Sequence, residues 1–195
     1  MPNFNTAHTF TARWEGGLSD HPADRGGITA YGASIEFVSD LASTPAGQEF
    51  LSSIGVPLPV NRTNMRSVTQ EQARAMFRYS FWDALGLDRL PLRPACILYD
   101  MAVNHGAYHA VRIAQRGYNR CVLHGTKLAV DGKLGPQTIA ALSKDTPKIN
   151  AAILDAREDF YADIVQRKPN QAVFLKGWMN RLNGLRKLVE GLPHA

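Results

Sequence analysis

Apolar residues at Phe4, Ala7, Phe10 and Trp14 recur at helical spacing and stop at Gly16-Gly17, which predicts a short amphipathic helix ending at Glu15. From Leu18 to Ser34 the pattern gives way to Gly, Pro, Asp and Thr, the composition of a loop or small hairpin with tight turns. Helical spacing returns with Ile35, Val38 and Leu41 behind Ser34 as a cap, and again with Phe50, Leu51 and Ile54 behind Thr44-Pro45. Thr69 and Gln72 have the spacing of a capping box, opening a helix through Ala73, Met76 and Phe77 toward Trp82.

Leu90-Pro91-Leu92-Arg93-Pro94 is the strongest internal break, because two prolines interrupt the pattern and Pro94 suits the first turn of a new helix. This divides the chain into regions 1–92 and 93–195, the second either an independent domain or packed with the first as one unit. Beyond the break, helices are predicted through Leu98, Met101 and Ala102, and around Val111, Ala114 and Cys121. After a turn-rich segment from His124 to Gly135 come a short helix opened by Pro136, a longer one through Ile149, Ile153, Ala156, Phe160 and Ile164, and a last one from about Phe174 to Val189. With neither repeat nor heptad, the fold class is mainly α with one small β-hairpin or loop insertion after the first helix.

Composition narrows the classes without naming one. A chain of 195 residues with 45% hydrophobic content can bury a core, and 16 Gly and 11 Pro fall without the period of a fibrous protein. No apolar run approaches the roughly 20 residues of a membrane span. The N-terminus lacks the basic start and apolar stretch of a secretory signal, so a cytosolic origin is expected. Cys96 and Cys121, without CxxC spacing, are expected as core residues in a reducing compartment.

Charge is uneven. Residues 1–50 hold two basic residues, Arg13 and Arg25, against six acidic ones, so the opening quarter is −4 and the remainder carries +9 of the net +5. A basic remainder fits a polyanion such as nucleic acid, an acidic lipid surface or a carboxylate-rich cell wall. Dispersed Lys and Arg, with no basic stripe interleaved with aromatics, argue against nucleic acid.

The chemistry concentrates in EGGLSDHPADRGGIT, Glu15 to Thr29. Glycoside hydrolysis needs a carboxylic acid to protonate the leaving oxygen, and a second polar group to position water or stabilise the cationic sugar. A glutamate at a helix end faced by a hairpin supplies the first, and the negative helix terminus with Trp14 adjacent disfavours its ionisation. Taken singly, Asp20 and Asp24 read as turn formers and Glu15 as a solvated helix end.

With Tyr31-Gly32 following, this segment resembles the signature of glycoside hydrolase family 108, lysozyme-like muramidases of phage endolysins and bacterial secretion loci. The resemblance implies a lysozyme-like helical fold with Glu15 as catalytic acid. Asp24 and Thr29 would hold the hydrolytic water as in phage-type lysozymes, with Asp20 a rival for the second carboxylate and Tyr31 lining the glycan cleft. Trp82, YDMAVNHG (Tyr99 to Gly106) and Gln115 are similar to further family segments. VDGKLGPQT (Val130 to Thr138) and GWMNR (Gly177 to Arg181) resemble the accompanying peptidoglycan-binding module. The implied substrate is peptidoglycan glycan strands, cut without metal or cofactor by a monomer. Neither nucleic acid nor membrane insertion is expected, and without a secretory signal a holin or export system is expected to bring the enzyme to the wall.

The residues themselves read more broadly in the second half. Trp178 can stack on a sugar or fill a core, and Arg181 can meet a peptide carboxylate or a surface partner. Asp100 and Asn104, one turn apart, can line a sugar groove or brace a loop. His105 and His109 have i,i+4 spacing but lack the Glu of HExxH and a third ligand, so no metal site is expected. A lytic transglycosylase and a non-catalytic wall-binding module remain alternatives. No GxSxG, P-loop or GxGxxG supports a serine hydrolase, an NTPase or a dinucleotide enzyme.

Overall fold

The computed structural model describes residues 2–17, 19 and 27–193. It divides into two compact units, Thr11–Ser80 and Met1–Phe10 with Phe81–Ala195. Helix α1 (Pro2–Glu15) contributes its residues up to Phe10 to the second unit and its last turn to the first.

The smaller unit combines a two-stranded antiparallel hairpin, β1 (Thr29–Ala30) and β2 (Ala33–Ser34), with α2 (Ile35–Ala42), α3 (Pro45–Ser53), α4 (Arg62–Met65) and α5 (Gln70–Phe77). The helix starts are those the caps predict. Ser34 Oγ accepts from Phe37 N at 3.1 Å, Thr44 Oγ1 accepts from Gly47 N at 3.1 Å with Pro45 behind it, and Thr69 with Gln72 forms a reciprocal capping box. Gln72 also reaches out of its helix, its Nε2 donating to the carbonyls of Ile54 and Gly55, which ties the end of α3 to the start of α5. Ile28, Ala30, Ala33, Val38, Leu51 and Met76 form the buried interior. Two stacked pairs, Phe37 on Phe77 at 5.7 Å and Phe50 on Tyr79 at 4.0 Å, extend it. The periodicity misses α4 and the π-helical turn at Arg78–Asp83, where i,i+5 bonding leaves the 3.6-residue repeat.

The larger unit is a helical body around α6 (Leu92–His105), buried continuously from Arg93 to Ala102. A helix buried on all sides belongs at a core's centre, and here α7 (Ala107–Cys121), α9 (Pro147–Arg167) and α10 (Ala172–Gly191) pack on it. Helices α7 and α9 cross closely because Gly117 has no side chain. A Cβ there would lie 2.4 Å from Ile153 Cα and 2.7 Å from Ala152 O. The short α8 (Pro136–Leu142) begins at its proline, as read from sequence. Phe4, Trp82 and Tyr99 meet edge to face at centroid separations of 5.6–5.7 Å, and Tyr99 OH lies 2.8 Å from His8 Nδ1. Both cysteines are free, Cys96 buried and Cys121 half-buried. Burial, with the Asp100 charge adding to it, pushes the Cys96 thiol up to about 12. The fold is mainly α with a small hairpin, as the pattern predicts.

Candidate active site

Glu15 is the last residue of α1, and Gly16 ends the helix with φ +78°. The chain returns through Ser19, whose N–H and C=O both pair with Thr29 at 2.8 and 2.9 Å, and then through the β1–β2 hairpin. The hairpin's two turn residues, Tyr31 at φ +51° and Gly32 at φ +86°, are both left-handed, the requirement of a tight primed turn.

That turn lies against the glutamate. A Cβ at Gly32 would fall 2.5 Å from Glu15 Cβ, 3.3 Å from Glu15 Cγ and 3.2 Å from Phe77 Cζ. Gly32 is therefore required twice, for its φ and for the room it leaves, and its backbone fixes one side of a half-buried carboxylic side chain. Trp14 beside it is 40% exposed and Tyr31 38% exposed, both unusually open for large aromatics. Thr29 stands in β1, in register with Ser34. Structure thus gathers Glu15, Thr29 and Tyr31 around one hairpin. Asp20 and Asp24 lie outside the described residues.

The other singled-out residues fall in the larger unit and form a different arrangement. Asp100 is fully buried, its Oδ2 2.7 Å from Arg157 Nη1 and its Oδ1 2.9 Å from Arg181 Nη2. Asn104 Oδ1 accepts from Arg157 Nη2 and Tyr161 OH, both at 3.2 Å, and Arg157 Nε donates to Tyr161 OH at 2.9 Å. Burial opposes the charge on Asp100, yet the guanidinium groups of Arg157 and Arg181 outweigh it and hold the carboxyl below its ordinary range. This cluster links α6, α9 and α10. Asp100 and Arg181 are thus each other's counter-charge inside the helical body. Trp178 stacks on Tyr161 at 5.2 Å and on the half-exposed Phe174 at 6.1 Å.

Sequence reading missed Arg157, although its signal was present. Ile149, Ile153, Arg157 and Tyr161 make one i,i+4 row, and a cation within an apolar row implies a buried partner. His105 packs against Phe160 and Tyr161 at 5.1 and 5.3 Å, and His109 against Phe160 at 5.5 Å. Among the described residues no group of three His, Cys, Asp or Glu is placed to hold a metal ion, and no helix is long and apolar enough to cross a membrane. Gln115 is buried, its Nε2 donating to Asp131 Oδ1 at 2.8 Å and its Oε1 accepting from Gly132 N at 3.0 Å, which pins the VDGKLGPQT turn.

The chain is a glycoside hydrolase of lysozyme type. The family model described as glycosyl hydrolase 108 matches residues 8–106, and the chain belongs to that family. A second model, described as a predicted peptidoglycan domain, matches residues 109–183, and the two together make the protein a peptidoglycan hydrolase. Among solved structures the chain is similar to SagA of Brucella abortus, with a TM-score of 0.72 and 24% identity over 97% of this chain and 94% of that one. At that identity the likeness is one of fold. No curated protein matches the chain.

Proposed function

We propose that the enzyme is an N-acetylmuramidase, hydrolysing the β-1,4 bond between N-acetylmuramic acid and N-acetylglucosamine with Glu15 as general acid. The observation that supports this is the close approach of Gly32 to Glu15, whose Cβ and Cγ lie against the hairpin turn at the end of α1. A positioned, half-buried carboxylic acid is what protonation of a glycosidic oxygen requires. Asp24 serves as the second carboxylate, positioning water or stabilising charge, with Thr29 assisting and Tyr31 lining the cleft. The reaction needs no metal, and the biological role is wall lysis of the endolysin kind.

Mass spectrometry of purified peptidoglycan digested by wild type and by Glu15→Gln tests the proposal. Hydrated reducing muramyl ends that disappear with the substitution are expected. Anhydro ends would instead assign a lytic transglycosylase, in which the muramyl 6-hydroxyl replaces water. Absence of any cleavage by wild type would reduce the protein to a wall-binding module.

A further inference from the structure

The segment 122–135 between α7 and α8 contains no helix or strand, yet it is firmly tied. Asn119 on α7 pairs with Leu128 as a neighbouring strand would. Its Nδ2 donates to Leu128 O and its Oδ1 accepts from Leu128 N, both at 2.8 Å. Four residues earlier, Gln115 clamps the Asp131-Gly132 turn. Cys121 Sγ donates to Lys148 O at 3.5 Å, fastening the end of α7 to the start of α9.

These ties leave two adjoining cavities of about 420 and 390 Å³ that share Tyr118, Thr126 and Lys144. Lys148 lines the first and Lys127 the second. Among the described residues no acidic side chain lines either cavity. Asp145, next in sequence to Lys144, is buried and accepts from Asn150 Nδ2 at 2.7 Å instead. None of the three lysines has an ion-pair partner among the described residues. One is nevertheless fixed in place. Lys144 Nζ donates to Tyr118 OH at 2.9 Å and stands 5.3 Å from the centroid of that ring. An ammonium held by a hydroxyl and a ring keeps donors free for an incoming acceptor, and two further cations without counter-charges raise the local potential for an anion. Leu123, 78% exposed, stands at the rim of the first cavity.

We infer that this groove is a carboxylate-binding site for the peptide stems of peptidoglycan, with Lys144 as the fixed contact and Lys148 and Lys127 flanking it. The inference rests on the assignment of the protein to peptidoglycan. It adds that the C-terminal region reads the charged peptides, whereas cleavage concerns the sugar backbone. Carboxylate recognition by ammonium groups is charge-assisted and salt-sensitive, so affinity falls as ionic strength rises.

Titration calorimetry of the full chain with a soluble stem peptide, and with the same peptide carrying its carboxylates as carboxamides, tests this. Lys144→Gln and Lys148→Gln are each expected to weaken binding about two- to fivefold and the double variant about tenfold, while Lys187→Gln, the same charge change on the exposed face of α10, leaves it unchanged. Lys148 is exposed, so its variant reports on binding even where Lys144→Gln disturbs the fold. Equal binding of the carboxamide peptide, an equal effect of Lys187→Gln, or no binding by wild type would each overturn the inference. Binding is read here without turnover. A protein that binds the stem but cuts no glycan breaks the muramidase proposal alone, and one that cuts glycan but ignores the stem breaks this inference alone.

Discussion

Glu15 in the smaller unit and Asp100 in the larger are both helix-borne carboxyl groups, one against a glycine turn and the other between two arginines. Beside Glu15 lies the left-handed turn at Tyr31-Gly32, where a Cβ on Gly32 would collide with Glu15 Cβ and crowd the Phe77 ring. Around Asp100 they are two guanidinium groups at 2.7 and 2.9 Å, in a site closed to solvent. A carboxylate gripped by two arginines is locked as an anion and has no proton to give near neutral pH. The turn instead constrains Glu15 by close contact with its Cβ and Cγ. The difference shows that burial and ion pairing fix both the charge of Asp100 and its place among three helices.

The sharpest way to break this comparison is Glu15→Gln. Turnover of peptidoglycan is expected to fall by about 10²–10⁴-fold, with the unfolding free energy changed by less than about 1 kcal/mol. Turbidimetric assays and urea melts on the same preparation check both halves. Retained turnover would move the acid elsewhere.

Asp100→Ala should do the reverse. It leaves Arg157 and Arg181 buried without their counter-charge, and a loss of about 3–5 kcal/mol is expected in chemical denaturation, with specific activity of the surviving folded fraction unchanged.

Gly32→Ala is intermediate, since it introduces both a disfavoured φ of +86° and a contact at 2.5 Å with Glu15 Cβ. A cost of about 1–3 kcal/mol in stability and at least roughly tenfold in kcat is expected, with KM changed less. An unaltered kcat would separate the hairpin from the positioning of Glu15.

The smallest effect concerns His105, which burial, reinforced by the charge on Arg157, pushes from its ordinary 6.5 down to about 3. The unfolded chain then binds a proton that the folded chain refuses. Stability is complete above about pH 6.5 and declines as pH falls toward 3, with a slope approaching ~1 kcal/mol per pH unit. His105→Phe, which keeps the ring contacts with Phe160 and Tyr161, should flatten thermal midpoints measured between pH 7 and 5. An unchanged slope would place the linkage on another group.

Much of this is legible in the sequence. Caps at Ser34, Thr44 and Thr69, and prolines at 45, 94 and 136, mark helix starts by local chemistry that tertiary packing has no reason to override. The EGG segment with Tyr31-Gly32 likewise marks the helix end and the hairpin, because glycines at a turn reflect backbone demands confined to a few residues. What escaped depends on partners distant in sequence. Asp100 and Asn104 read equally as groove or brace until Arg157, Tyr161 and Arg181 are brought to them from other helices. Gly32's second role, making room for Glu15, is equally a matter of tertiary approach. The π-helical turn at Arg78–Asp83 escaped because its period is neither of those on which pattern reading rests.

One feature of α7 bears on engineering the protein. Gln115 and Asn119, one turn apart, hold the irregular segment at Gly132 and Leu128, so its path is dictated from outside by two amide side chains. Insertions between Leu123 and Gly125, ahead of the first tether, should be accommodated as an enlarged loop, whereas even one added residue between Leu128 and Gly132 shifts the chain out of step with its fixed anchors. Along a stretch without regular structure, tolerance to added length thus changes within a few residues.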